Sequence, residues 1–315
     1  MDTFGNYKRQ LFTSFVIGLA ITVVLLVLAD LQAVSSVFRA MDLRYLPLIL
    51  ALAPLNYILR FIKWNYFLKI SAINPDPLVN RYIFMSGLSM TITPGKVGEL
   101  LKCYLLKEHV GAPISQTSPI VMAERVTDGL AMVILGFIGI MAFPYGRAVV
   151  PVAAVLLVLL VALFQFETLF NRLLCCLEKY SILKKVVIFT REFYQSARLL
   201  LSLRSLLFTV GIGVISWGFE GLIVYLAVKA FGGEISILGS FFVIALSSLA
   251  GAISFLPGGL GVAEGSIMTL LILGGMSTQV AAATTLLTRF STLWLGVAIG
   301  IIGLVFAQKV LKASS

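Results

Sequence analysis

Histidine is nearly missing: His109 is the single imidazole in 315 residues. That shortage argues against imidazole-built metal clusters and Ser/His/Asp triads, which need a histidine beside its partners. Cysteine is scarce as well. Cys103, Cys175 and Cys176 show neither metal-ligand spacing nor a disulfide framework, and they read as small apolar fillers. No Walker-type phosphate loop occurs, which speaks against nucleotide hydrolysis. Charge is the third shortage, at 12% of residues, against roughly 25% in a soluble domain. No catalytic residue, cofactor or metal is therefore expected.

What replaces the missing polarity is apolar bulk: 59% of residues are hydrophobic and mean hydropathy is +1.03. Several apolar runs reach the roughly 20 residues that cross a bilayer core. No polar stretch exceeds about 40 residues, below typical domain size. A single integral membrane domain over residues 1–315 is expected, its bilayer acting as solvent. The runs fall near 12–28, 45–62, 118–143, 148–166, 205–230 and 279–307. No cleavage site follows the first run, so it reads as a retained span.

The net charge of +10 matters less than where it lies. A nucleic-acid partner would want a basic soluble face, and little soluble surface exists here. Assigning the N-terminus, 63–81, Lys102–His109, 171–204 and the C-terminal tail to the cytoplasm places 16 of the 24 Lys and Arg inside. Such asymmetry orients membrane proteins, and it predicts cytoplasmic termini in the cell membrane. On this reading Lys63 snorkels beside Trp64, an interfacial anchor. Within 171–204, Lys184, Arg191 and Arg198 recur every seven residues on one helical face. A basic amphipathic segment of that kind suits an anionic leaflet, or serves only as a charged link between two halves.

Two segments resemble one another. Thr93-Pro94-Gly95-Lys96-Val97-Gly98-Glu99 precedes Arg125, and Leu256-Pro257-Gly258-Gly259-Leu260-Gly261-Val262-Ala263-Glu264 precedes Arg289. Each reads as the tip of a helical hairpin that enters the membrane and returns on the same side, because the flanking arms are short. The expected architecture is all-α and polytopic: about six spanning helices plus two Pro-Gly broken re-entrant hairpins in an inverted repeat. The first repeat covers 12–143, and 144–170 opens the second. The basic segment 171–204 and the remainder, 205–308, follow. Matching interrupted segments in two halves point to a transporter's binding site.

Charge inside a membrane costs about 2.5–3.5 kcal/mol per group on insertion scales, so ionisable residues there must pair or line a wet cavity. The candidate substrate-binding residues are Arg60, Pro94, Gly95, Lys96, Gly98, Glu99, Glu124, Arg125, Asp128, Pro257, Gly258, Gly259, Gly261, Glu264 and Arg289. Glu124, Arg125 and Asp128 can share one helix side, the acids holding an arginine whose planar fork fits phosphate oxygens. That trio can equally be a self-neutralising packing cluster. The glycines would let backbone approach a ligand, with the helix starts offering N–H groups to an anion.

Taken in order, Arg60-Phe61-Ile62-Lys63-Trp64, the Thr93–Leu100 turn, Glu124-Arg125-Val126-Thr127-Asp128, the Leu256–Glu264 turn and Arg289 resemble the lysylphosphatidylglycerol synthase transmembrane region, or flippase-like, family. The resemblance implies an integral membrane protein whose better-understood relatives move a modified anionic phospholipid between leaflets. These 315 residues hold no counterpart of the soluble aminoacyl-transferring domain of the full-length synthases. The expected function is a lipid flippase or translocase for an anionic phospholipid or polyprenyl-phosphate-linked head group. A lipid-phosphate group-transfer enzyme and an accessory subunit of a glycosyltransferase stay open beside it. The expected partners are the bilayer and a lipid substrate, with a second copy of the chain or a glycosyltransferase as protein partners. Labelling of intact cells with an impermeant thiol reagent should spare Cys175 and Cys176, which face the cytoplasm on this topology. Ready modification of Cys175 would reverse the orientation.

Overall fold

Apolar runs broken at Pro-Gly pairs become helices of two lengths in the computed structural model, which describes residues 31–142, 148–165 and 184–313 together with Thr13, Val16, Gly18, Ala20 and Phe170. All regular structure among the described residues is helical, because hydrocarbon offers the backbone no hydrogen-bond partner. Twelve α-helices follow in order: α1 Leu31–Arg39, α2 Leu46–Ile70, α3 Pro77–Ser89, α4 Leu101–Val110, α5 Ile114–Gly139 and α6 Val149–Gln165. Then come α7 Lys184–Leu200, α8 Leu203–Ala230, α9 Ile237–Ile253, α10 Val262–Leu273, α11 Thr278–Arg289 and α12 Leu295–Ala313.

Among the described residues, four continuous helical stretches are long and apolar enough to span: Leu43–Ile70, Ile114–Ala142, Leu203–Ala230 and Thr278–Lys309. They match the runs expected at 45–62, 118–143, 205–230 and 279–307, and the chain is an all-α polytopic membrane protein. The run at 148–166 is α6, with 17 residues. The run at 12–28 lies almost wholly outside the described residues, as do the 143–147 loop, Cys175 and Cys176.

The Pro-Gly segments interrupt much shorter helices. The arms of the first, α3 and α4, have 13 and 10 residues; those of the second, α9 and α10, have 17 and 12. At about 1.5 Å per residue, no arm reaches the roughly 30 Å of a hydrocarbon core. Each hairpin begins at a side-chain cap that fixes where the chain turns inward. Asp76 accepts from the backbone of Leu78 and Val79, and Ser236 accepts from Gly239.

Contacts between the halves come in matched sets. The helix α2 packs on α8, α3 packs on α12, α5 packs on α9, and the two Pro-Gly turns touch each other. Small residues make this closeness feasible, as is usual for helices in lipid. A Cβ at Gly300 would lie 2.1 Å from the Ser89 backbone nitrogen, and one at Gly139 would lie 2.4 Å from the Leu238 carbonyl oxygen. At the turns, Gly258 has φ +59° and a Cβ there would stand 3.2 Å from Ile92 Cα. Helix α7 packs against α5. It buries Val187, Tyr194, Ala197 and Leu200 and keeps Arg191 and Arg198 exposed, which is the amphipathic division its sequence predicts.

Gly300→Ala should destabilise the protein by about 1–3 kcal/mol, the usual cost of overpacking a tight contact. Gly211, where a Cβ meets nothing within 4 Å, is the control: Gly211→Ala should raise stability slightly through helix propensity. Thermal unfolding of both variants in detergent measures the difference.

Candidate functional site

Between the two hairpins and the long helices lies a cavity of about 270 Å³. Arg60 reaches it from α2, Thr91 from the 3₁₀ turn after α3, and Arg125 and Asp128 from α5. Trp217 and Glu220 contribute from α8, while Phe255, Leu256, Gly258 and Gly259 come from the second turn and Arg289 from the end of α11. A larger hollow, about 800 Å³, lies beside α7 with Arg191 and Arg198 on its wall. Gln165, Phe170 and Tyr194 also line it.

Each arginine meets the glutamate of its own half. Arg125 Nη2 is 3.1 Å from Glu99 Oε2 and its Nη1 is 3.4 Å from Asp128 Oδ2. Arg289 Nε donates to Glu264 Oε1 at 2.6 Å, and its Nη2 donates to the Gly258 carbonyl at 3.0 Å. The other Glu264 oxygen accepts the Gly261 N–H at 2.7 Å. Turn, acid and arginine of the second half are thus tied into one closed set. The first half is looser: Arg125 Nε and Nη2 are buried and make no hydrogen bond among the described residues.

Behind this front row sits a second row that the sequence reading misplaced. Lys63 and Trp64 are not at the interface; both are buried, because α2 continues as an apolar helix to Ile70. Lys63 pairs with Asp128, and the Trp64 indole donates to Asn80 at 2.9 Å. Lys102, expected in a cytoplasmic exit, is buried and pairs with Glu124 at 2.5 Å. Its ammonium lies 4.3 Å from the Trp64 ring centroid, within cation–π range. Gly87 leaves room for its stem, since a Cβ there would be 2.7 Å from Lys102 Cδ. Glu124 therefore serves Lys102, and the acids facing Arg125 are Glu99 and Asp128.

The turn glycines also differ from the expectation of open N–H donors. Gly98 N–H donates to Thr93 Oγ1 at 2.8 Å and Gly261 N–H to Glu264, so local oxygens satisfy both. Of the second turn, Leu256, Gly258, Gly259 and Ala263 line the cavity, whereas Gly98, Glu99, Pro257, Gly261 and Glu264, and Glu124 of α5, are not on its wall. Pro94, Gly95 and Lys96 form the start of a 3₁₀ segment, Pro94–Leu100, and their side chains are outside the described set.

Three cavity features carried weaker sequence signals. Glu220, inside the long apolar helix α8, accepts from Asn56 Nδ2 at 2.6 Å, and Asn56 Oδ1 accepts from Ser216 at 2.6 Å. Trp217, one residue from Ser216, is 7% exposed, and its indole N–H makes no hydrogen bond among the described residues. After Arg289 the helix widens into a π-turn, Phe290–Trp294, and Tyr57 Oη donates to the Thr292 carbonyl at 2.8 Å. Such π-bulges concentrate at functional sites. No signal short of the fold could have paired residues so far apart in sequence.

Five cations (Arg60, Lys63, Lys102, Arg125, Arg289) and five carboxylates (Glu99, Glu124, Asp128, Glu220, Glu264) converge here. Pairing offsets the cost of burying them. Arg60 is the exception: it makes no ion pair or hydrogen bond among the described residues, though it lines the cavity. Arg60 and Arg125 put two guanidinium groups on the wall of one cavity, a pairing that can bind an anion.

Residues 15–300 match the family described as lysylphosphatidylglycerol synthase TM region. Curated relatives are UPF0104 membrane proteins. One from Pyrococcus horikoshii is 24% identical over 95% of this chain and 98% of its own length. One from Methanothermobacter thermautotrophicus is 24% identical over 91% and 92%, and one from Methanocaldococcus jannaschii is 28% identical over 63% and 85%. A multi-pass membrane protein whose family match runs through both hairpins and all ten of these charges, this chain belongs to the lysylphosphatidylglycerol synthase transmembrane region family.

Proposed function

We propose that this protein translocates an anionic lipid, its phosphate passing through the cavity while its chains stay in the bilayer. The observation that carries this reading is the two-sided character of the cavity. Arg60, Arg125 and Trp217 line its polar side, while Phe255 and Leu256, which also line it, are 74% and 45% exposed. A water-soluble anion gains nothing from an apolar rim; a phospholipid matches both ends. Arg125 and Arg60 bind the phosphate, and Arg289, held by Glu264 and Gly258, fixes the shape of the second turn.

The matched contacts between halves support a plan of two repeats, while the loop charges of the sequence support termini in the cytoplasm, with the hairpins gating opposite faces of a cell membrane. Gly98 and Gly261 are poor places to test such gating. A Cβ at Gly98 would collide with Thr93 at 2.6 Å, and Gly261 has φ +86°. Thr91 and Ala252 line the cavity from the two hairpins and are the better sites.

In liposomes carrying fluorescent phosphatidylglycerol, the protein should speed leaflet exchange, read as loss to a membrane-impermeant quencher. Arg125→Lys should slow exchange at least about tenfold, the worth of one charge-assisted hydrogen bond. Thr91→Trp and Ala252→Trp should block loading from opposite leaflets. Exchange no faster than in protein-free vesicles would overturn the reading, and covalent alteration of the lipid would replace it with a group-transfer enzyme.

A further inference from the structure

We infer that Asp128 is a proton-binding site coupled to the anion site, so that each anionic head group enters the cavity together with a proton. The inference rests on the anion-site reading above. Asp128 is buried and lies on the cavity wall. One carboxylate oxygen, Oδ1, accepts from Lys63. The other, Oδ2, is buried without a hydrogen bond and stands 3.4 Å from Arg125 Nη1. A carboxylate thus shares its arginine with the position an incoming phosphate would take.

When an anion engages Arg125 from the cavity, it competes with Oδ2 for the same guanidinium. It also brings a second negative charge next to that oxygen. A second negative charge this close raises the carboxyl's affinity for a proton. A proton on Oδ2 turns an acceptor without a donor into a donor aimed at the phosphate oxygen. Lys63 keeps Oδ1 throughout, so the side chain stays in place.

The surrounding charges leave Asp128 as the group suited to this role. Arg60 and Lys63 face it from α2, Arg125 from its own helix, and Arg289 and Glu220 across the cavity. Glu99 stands on the far side of Arg125, from the first turn. Of the other carboxylates, Glu220 accepts from Asn56, Glu124 from Lys102, and Glu264 from Arg289 and Gly261. Among the described side chains the cluster is charge-balanced when empty, so an added anion leaves a negative surplus that one proton removes.

The test uses the purified full chain in detergent and dioctanoyl phosphatidylglycerol, a phosphodiester with no proton to lose near neutral pH. Binding is measured by calorimetry across pH and in buffers of different ionisation enthalpy. The wild type should take up about one proton per lipid, its dissociation constant rising about tenfold per pH unit on the alkaline side. Asp128→Asn should bind with no pH dependence and no proton uptake, while Glu108→Gln, an exposed acid away from the cavity, keeps both. Wild-type binding that is independent of pH would overturn the proton site and leave the anion site standing. Loss of proton uptake in Glu99→Gln, with retention in Asp128→Asn, would overturn the assignment to Asp128. Absence of binding at every pH would remove the anion site and this inference together. The wild-type proton count needs no variant, so wild-type binding without proton uptake overturns the inference even if Asp128→Asn fails to fold.

Discussion

Charge buried where water cannot reach it must be neutralised nearby, and that constraint organises the centre of this molecule. An isolated ion at mid-membrane depth costs several kcal/mol, and ten ionisable side chains gather here from six helices and the first turn. The cluster holds because cations and acids are present in equal number and most meet directly, as Lys102 meets Glu124 and Arg289 meets Glu264. Helix packing serves this end. Gly87 opens space for the Lys102 stem, and Gly300 lets α12 close onto α3 beside the first hairpin.

Within that balance the two halves are unequal. The second half spends its arginine on its own turn, through Glu264 and the Gly258 carbonyl. The first half leaves buried donors of Arg125 unspent and sets Arg60 beside them. A fully satisfied network rigidifies, whereas a partly satisfied one is open to a ligand that completes it. The same sequence pattern thus yields a closed hydrogen-bonded set in one copy and an arginine shared between two acids in the other.

Geometry at the rim connects the charged centre to the bilayer. The arms of the second hairpin are too short to span, so its tip ends at depth, where Phe255 and Leu256 are exposed next to the cavity. Phe255 holds φ +53°, unusual for a bulky residue and a form of strain that recurs at functional positions. Polar interior and apolar mouth are brought within a few residues of one another by the break in the helix.

Much of this was legible in the chain itself. Membrane residence, four of the long spans, the shortness of the hairpin arms and the prominence of Arg60, Arg125, Asp128 and Arg289 follow from run length, Pro-Gly interruption and charge in apolar context. Those are local properties, set by the spacing of neighbouring residues. Pairing was not legible. Glu124 lies beside Arg125 in sequence yet meets Lys102, 22 residues away, and Asp128 meets Lys63 across 65. Asn56 reaches Glu220 across 164 residues. Sequence alone determined that charges had to be buried and would need partners; which charge met which, and which donors stayed open, was decided by the packing of distant helices, since an ion pair depends on distance in space and not along the chain.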